Sequence, residues 1–83
     1  MINESEYAAI AASVAEILEV DVTDLKDDTN FVDDLGADSL SLIEVLSRLE
    51  KMLEITIEQS ELARMTSLRE ICQVVAEARQ LVA

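Results

Sequence analysis

Ser39 is the residue of this 83-residue chain most suited to covalent chemistry, because it stands at the predicted start of a helix. Gly36 allows the backbone to turn sharply just before it, and Asp38 is suited to cap the helix. A serine in the first turn points its hydroxyl outward. An unactivated hydroxyl is a poor nucleophile, and the chain has no histidine to act as its base. We therefore interpret Ser39 as a substrate for another enzyme that brings its own base and metal.

Other kinds of site are excluded or disfavoured by the composition. Without histidine, the chain cannot form a Ser-His-Asp triad, a Cys-His pair or a histidine-based metal site. The single cysteine, Cys72, cannot form an internal disulfide, which fits a reducing compartment such as the cytoplasm, and we predict that it is a core residue. Four aspartates suggest a divalent cation site, but their spacing does not match an EF-hand loop. We therefore predict a solvated acidic loop and no metal; these aspartates are Asp27, Asp28, Asp33 and Asp34.

The charge of the chain indicates which partners it can bind. Eighteen acidic residues against six basic ones give a net charge of -12, which argues against nucleic acids and anionic membranes. The same charge would steer the chain towards partners with basic patches. No apolar run approaches the roughly 18 residues of a membrane span, and the acidic start does not resemble a signal peptide. We expect a free-standing cytoplasmic protein.

Four helices must position Ser39. With 51% apolar residues, 2% aromatics, one glycine and no proline, the chain favours helices around an aliphatic core. Asn3 and Glu6 can form a capping box for a first helix that ends near Glu19. The apolar face of this helix is predicted to consist of Tyr7, Ile10, Val14, Ile17 and Leu18. A long loop follows over residues 20–38, because its Asp, Thr and Asn residues compete with helix formation. Its predicted apolar anchors are Val22, Leu25, Phe31 and Leu35.

The second helix should begin at Asp38 or Ser39 and run to about Leu53. Its buried stripe is predicted to contain Leu42, Ile43, Leu46, Leu49 and Leu53. A short third helix is expected over residues 58–64, and Thr66 or Ser67 caps a fourth. The apolar face of the fourth helix is predicted to contain Leu68, Ile71, Cys72, Val75 and Leu81. The predicted fold is therefore an all-α four-helix bundle, formed by residues 1–83 as a single domain, with a long loop between its first two helices.

The run LGADSL, at residues 35–40, resembles the attachment motif of acyl carrier proteins. The resemblance extends over essentially the whole chain and includes the lead-in that begins at Phe31. It implies that a phosphopantetheinyl transferase attaches the 4′-phosphopantetheine of coenzyme A to Ser39, with Asp38 presented to the transferase and its metal. It also implies a monomeric, non-catalytic carrier that holds acyl groups as thioesters. Its partners would include an acyltransferase or ligase and a ketosynthase.

The resemblance also implies two sets of contact residues. Partner enzymes are expected to dock on Asp38, Leu40, Glu44, Ser47, Arg48 and Lys51. The acyl chain is expected to enter a cleft between the second and third helices that is lined by Ile43, Leu46, Ile57 and Leu62.

Departures from the family pattern bear on the pathway. Ser41 stands where fatty-acid carriers often have an acidic residue, Arg48 and Lys51 add positive charge, and Glu58 replaces the usual proline. These differences favour polyketide or related specialised biosynthesis over fatty-acid synthesis. Two other classes stay open. An aminoacyl or peptidyl carrier usually has a Gly-Gly-x-Ser motif, which Ala37-Asp38 does not match, and an unmodified acidic structural subunit would not need Ser39.

Overall fold

The computed structural model describes residues 2–81 and shows three α-helices and two 3-10 helices, with no strand in that range. The α-helices are α1 (Glu4–Leu18), α2 (Ser39–Leu53) and α3 (Leu68–Leu81); the 3-10 helices span Val22–Asp24 and Gln59–Arg64. The Cα radius of gyration is 11.6 Å, close to the value of about 12 Å expected for this length. Met1, Val82 and Ala83 belong to the predicted domain but lie outside the described residues.

The all-α bundle predicted from the sequence is confirmed, including the long loop between α1 and α2. The element predicted as a short third helix begins one residue later than expected, at Gln59, and is a 3-10 helix. A six-residue segment offers few i to i+4 hydrogen bonds, so the tighter i to i+3 pattern prevails. Ser67, the second of the two predicted caps, immediately precedes α3, and its Oγ accepts a hydrogen bond from the Glu70 N–H at 3.3 Å.

The core is aliphatic apart from Phe31, as the low aromatic content predicted. The buried apolar residues of the three α-helices are Ile10, Ala11, Val14 and Ala15 in α1, Leu42, Val45, Leu46 and Leu49 in α2, and Leu68, Ile71, Val74, Val75 and Ala78 in α3. The loops and turns add Leu25, Phe31, Ile57 and Met65. Helix α1 packs against both α2 and α3, and the second 3-10 helix contacts α2 and α3.

The predicted apolar stripe of α2 differs from the buried set at three positions. Ile43 is only half-buried, Leu53 is half-buried but packs against the core, and Val45, which the predicted stripe omitted, is fully buried. Cys72 is also half-buried. Val22 does not anchor the loop, because it begins a surface turn that the side chain of Asp21 caps, and 46% of its surface is exposed. The side chain of Leu81, predicted for the last apolar face, lies outside the description.

The N-terminus of α1 is held by the predicted capping box. The Asn3 side chain accepts a hydrogen bond from the Glu6 N–H at 2.8 Å, and the Glu6 carboxylate accepts one from the Asn3 N–H at 3.4 Å. The same carboxylate forms an ion pair with Arg79 near the end of α3. This pair lowers the pKa of Glu6, with Arg79 as the main cause. Glu6 therefore fixes both the start of α1 and its position against α3.

Candidate functional site

Asp38 caps α2 and thereby determines where Ser39 lies. Its carboxylate accepts a hydrogen bond from the Ser41 N–H at 2.8 Å, and its backbone is extended, with φ -109° and ψ 176°. Hydrogen bonds from Ser41, with a smaller contribution from the Leu40 N–H, lower the pKa of Asp38. The carboxylate is therefore ionised at neutral pH and occupies N–H groups that an anion would otherwise bind at a helix start. A phosphate on Ser39 would have to lie beside this cap.

Ser39 is the first residue of α2 and is exposed to solvent. Within residues 2–81, its hydroxyl makes no hydrogen bond. Leu40 follows with 72% of its surface exposed, which is the highest value among the large apolar residues described. An outward hydroxyl beside an uncovered leucine can enter the active site of another protein. This arrangement fits covalent attachment of a phosphopantetheine arm, because Ser39 is exposed and its hydroxyl is not engaged in another hydrogen bond.

The turn before Ser39 is ordered by Asn30. The Asn30 side chain accepts hydrogen bonds from the N–H groups of Val32 and Asp33 at 3.0 and 2.8 Å, and its own N–H donates to the Asp34 carboxylate at 2.9 Å. The turn ends at Gly36, whose N–H donates to the Val32 carbonyl at 3.0 Å. Gly36 has a φ of 71°, a conformation that glycine adopts without steric cost. The sequence predicted this role for Gly36.

Phe31 joins this turn to the rest of the molecule. Its side chain is fully buried, as predicted for a loop anchor, and its N–H donates to the Thr66 carbonyl at 2.9 Å. Its own carbonyl accepts a hydrogen bond from the Ala37 N–H at 2.9 Å. Leu35 is half-buried and packs against the core. The segment that precedes Ser39 is therefore fixed both by backbone hydrogen bonds and by side chains packed in the core.

The predicted docking residues lie together on the outer face of α2. A surface depression of about 250 Å³ is lined by Glu44, Ser47, Arg48 and Lys51. Their spacing of three and four residues places them on one side of the helix. Arg48 is tied to α1, since its guanidinium contacts the Glu16 carboxylate at 2.6 Å. Asp38 and Leu40 lie at the start of the same helix, so all six predicted docking residues belong to one element or its cap.

The four residues predicted for an acyl cleft differ in burial. Leu46 and Ile57 are 4% and 5% exposed, whereas Ile43 and Leu62 are half-buried. The second 3-10 helix, which carries Leu62, contacts α2. A cavity of about 160 Å³ lies nearby, but α3 forms one of its walls and it has only Ile57 in common with the predicted lining.

Two of the four acidic loop residues have structural partners. Asp34 closes the Asn30 turn, and Asp27 accepts a hydrogen bond from the Tyr7 hydroxyl. No group of three or more possible metal ligands occurs in the part of the chain that the structure describes. Cys72 is half-buried, and burial, together with the charge of Asp27, raises the pKa of its thiol. A thiol with a raised pKa is a weak nucleophile at neutral pH.

Sequence reasoning missed the role of Asn30 and the ion pair between Arg48 and Glu16. The first could have been found from the pattern Asn-x-x-Asp-Asp ahead of a glycine, since asparagine often accepts hydrogen bonds from the backbone two and three residues later. The second joins residues on different helices, and no local pattern indicates such a pair.

Comparisons with known proteins agree with this geometry. A family model described as a phosphopantetheine attachment site matches residues 8–75. The Polyketide-8 synthase acyl carrier protein 1 of Streptomyces avermitilis is 42% identical over 67 residues, covering 81% of this chain and 80% of that protein. An acyl carrier protein of Clostridium acetobutylicum is 34% identical over 58 residues, covering 70% of this chain and 75% of that protein.

A solved structure gives the same result for the fold. One chain of the structure described as the ishigamide ketosynthase/chain length factor superposes with a TM-score of 0.76 at 39% identity, covering 92% of this chain and 96% of that one. The helical fold, the exposed serine at the start of α2 and the family match define a phosphopantetheine-dependent carrier. The chain belongs to the acyl carrier protein family. None of the helices among the described residues is long and apolar enough to cross a membrane.

Proposed function

We propose that this chain, as a single domain, is a cytoplasmic, non-catalytic carrier of acyl groups in polyketide biosynthesis and that Ser39 is its attachment residue. The main observation in support is the exposed Ser39 hydroxyl, which makes no hydrogen bond among the described residues and lies within the family match. Ser39 Oγ would displace the adenosine 3′,5′-bisphosphate of coenzyme A at phosphorus, and its proton would pass to a base of the transferase. The attached arm supplies a terminal thiol that holds acyl groups as thioesters.

The local structure supports Ser39 over the other serines. Ser41 is half-buried, and its N–H is bonded to Asp38. Ser47 and Ser60 are exposed, but Ser47 lies two turns into α2 and Ser60 lies in the second 3-10 helix, so neither follows the Gly36 turn. Only Ser39 combines an exposed hydroxyl with the small residues Gly36 and Ala37 on its N-terminal side, where another protein can approach closely.

The attachment residue is tested by the mass of the intact protein after incubation with coenzyme A and a phosphopantetheinyl transferase of broad specificity. We expect a gain of one phosphopantetheine in the wild-type chain and in Ser60→Ala, whose serine is exposed but has no proposed docking role, and no gain in Ser39→Ala. Modification of Ser39→Ala would place the arm elsewhere. Absence of modification in the wild type with several transferases would favour an unmodified acidic subunit.

The polyketide assignment is supported by the relative from Streptomyces avermitilis and by the mixed charge of the outer face of α2. It is tested by loading the modified protein. We expect transfer of malonyl groups from malonyl coenzyme A by an acyltransferase, followed by condensation with a ketosynthase/chain length factor pair of polyketide synthesis. Loading by an amino-acid-activating enzyme in place of the acyltransferase would identify an aminoacyl carrier.

Partner enzymes are proposed to dock on the outer face of α2, at Leu40, Glu44, Ser47, Arg48 and Lys51, with Asp38 contacting the transferase. Arg48 is the most informative residue to change, because Arg48→Glu reverses a charge and places it next to Glu16. We expect a slower condensation with the ketosynthase, with the difference from wild type shrinking as salt is added. The exposed Lys26, which is remote in sequence from α2, provides the matched control as Lys26→Glu. Equal rates for Arg48→Glu and wild type at all salt concentrations would exclude this face.

The acyl chain is proposed to enter between α2 and the second 3-10 helix, among Ile43, Leu46, Ile57 and Leu62. The contact between the second 3-10 helix and α2 supports this, as does the partial exposure of Ile43 and Leu62. In the acylated protein, we expect NMR contacts between the acyl chain and the methyl groups of Leu46 and Ile57. An acyl chain without any such contact would remain in solvent.

A further inference from the structure

A second surface site lies away from Ser39. The cavity of about 160 Å³ is bounded by the segment that follows α2 and by the second half of α3. Its floor is apolar, with Ile57, Val74 and Ala78 only 5%, 3% and 7% exposed. The Ile57 N–H donates to the Glu50 carboxylate at 2.8 Å, which holds the floor beside the last turn of α2. Glu50 is roughly 16 Å along the helix axis from Ser39, so this cavity is separate from the attachment site.

The rim of the cavity is acidic. Glu58, Glu61 and Glu77 line it, and we call the cavity with this rim the acidic notch. Arg64 contacts Glu61 at 2.7 Å and both carboxylate oxygens of Glu77 at 2.8 and 2.9 Å. Three carboxylates against one guanidinium leave an excess of two negative charges.

Glu58 is the carboxylate most available to a ligand. Glu58 is exposed, and the only hydrogen bond of its carboxylate among the described residues is a long one of 3.5 Å from the Ser60 hydroxyl. Glu77 is already committed, since Arg64 holds both of its oxygens and lowers its pKa. A positive group that entered the acidic notch would therefore meet Glu58 first.

We propose that the acidic notch binds the side chain of a lysine or arginine presented by a partner protein. The volume is well below the roughly 300–1,000 Å³ of pockets for drug-sized ligands, so a single side chain fits and a cofactor does not. Lysine and arginine place an apolar stem under a charged head, which matches an apolar floor under an acidic rim. The stem lies on Val74 and Ala78, and the head faces Glu58 and Glu61.

The test uses Ser39→Ala protein, so that its result does not depend on whether the chain is a carrier. The probes are n-butylguanidinium and n-butylammonium chloride, with n-butanol and guanidinium chloride as comparisons, all at one ionic strength. We expect saturable NMR shifts of the Ile57, Val74 and Ala78 methyl groups with the two butyl cations, and much weaker shifts with butanol or guanidinium. Equal shifts with butanol would mean an apolar cleft without charge recognition, and no shift at these methyl groups would overturn the proposal.

Two matched variants separate local recognition from overall charge. Glu58→Gln removes an exposed carboxylate without breaking an ion pair, and we expect it to weaken binding of n-butylguanidinium by about two- to fivefold. Asp24→Asn removes the same charge from the first 3-10 helix, which does not line the acidic notch, and should leave the affinity unchanged. If both variants weakened binding equally, or if neither weakened it, Glu58 would not be the residue that recognises the cation. Ala78→Val narrows the floor and should also weaken binding while thermal unfolding shows that the fold is kept.

Discussion

The backbone N–H of Phe31 donates to the carbonyl of Thr66 at 2.9 Å, and this bond joins the long loop to the segment before α3. The Phe31 carbonyl accepts from Ala37, two residues ahead of Ser39. Since the ring of Phe31 is also fully buried, one residue links the core, the start of α3 and the approach to Ser39. The exposed serine is thus positioned by a residue in the centre of the molecule.

Phe31→Ala should therefore be strongly destabilising. Truncation of a buried phenylalanine costs about 3–5 kcal/mol, whereas a domain of this length is stable by only about 4–12 kcal/mol. We expect much or all of the stability to be lost in urea denaturation. Val32→Ala is the control, because Val32 is 46% exposed and should change stability by less than about 0.5 kcal/mol. A loss below about 1 kcal/mol for Phe31→Ala would show that the loop is not anchored in this way.

The Asp38 cap should stabilise the start of α2. Asp38→Ala removes the acceptor of the Ser41 N–H, so the melting temperature should fall by several degrees. Asp38→Asn keeps an acceptor and should have almost no effect at neutral pH. If only the charge of Asp38 mattered, both variants would melt at the same temperature.

The depressed pKa of Asp38 gives this cap a pH dependence. A carboxyl whose pKa is lower in the folded state contributes stability above its unfolded pKa of about 3.9 and loses it as the pH falls through the folded value. Below about pH 4, the melting temperature of the wild type should therefore fall more steeply with decreasing pH than that of Asp38→Asn, whose amide does not titrate. Parallel profiles of melting temperature against pH for the two proteins would contradict the conclusion that the ionised Asp38 carboxylate caps α2.

The local features of this fold could be read from the sequence, and the long-range ones could not. Asn3, Gly36 and Asp38 act through neighbours within four residues, so residue type and spacing were sufficient to predict their roles. The ion pairs of Arg48 and Arg79 join different helices, and their geometry depends on how those helices pack. The same reason explains why Val45 is buried and Ile43 only half-buried. The apolar stripe predicted which side of α2 is buried, but which residues lie at the centre of that side depends on how neighbouring elements pack against the helix.

Two glutamates end helices in a conformation that disfavours them. Glu19 and Glu54 have φ values of 58° and 54°, in the left-handed region where glycine is usual. A left-handed conformation costs a non-glycine residue roughly 1–2 kcal/mol. Glycine avoids this steric cost, but its greater backbone entropy in the unfolded state offsets part of the gain in stability. We expect Glu19→Gly and Glu54→Gly each to stabilise the protein by about 0.5–1 kcal/mol in urea titrations. Ala12→Gly, at an exposed position within α1, should instead destabilise it by about 1 kcal/mol.

The net charge of -12 should make stability sensitive to salt. Like charges repel one another in the compact state, and added ions screen that repulsion. We expect the melting temperature to rise measurably from low to physiological ionic strength. Magnesium chloride should also raise the melting temperature, because its cations screen the same repulsion. A melting temperature independent of salt would show that the negative charges are already well dispersed.

Tyr7 should titrate at unusually high pH. Burial, the hydrogen bond to the Asp27 carboxylate and the charge of that carboxylate raise its pKa to about 12. The chain has one tyrosine and no tryptophan, so tyrosinate absorbance reports this residue alone. We expect a midpoint near 12 in the folded protein and near 10 in concentrated guanidinium chloride.

The Asp27→Asn variant separates the causes of this shift. Because burial is the largest cause and remains, the midpoint should fall only part of the way towards 10. The raised folded pKa means that Tyr7 contributes stability below pH 10 and that this contribution is lost as the pH rises from about 10 to 12. The wild type should therefore lose more stability over that interval than Asp27→Asn. A midpoint near 10 in the folded wild type would mean that Tyr7 is hydrated and that its hydroxyl does not join α1 to the loop.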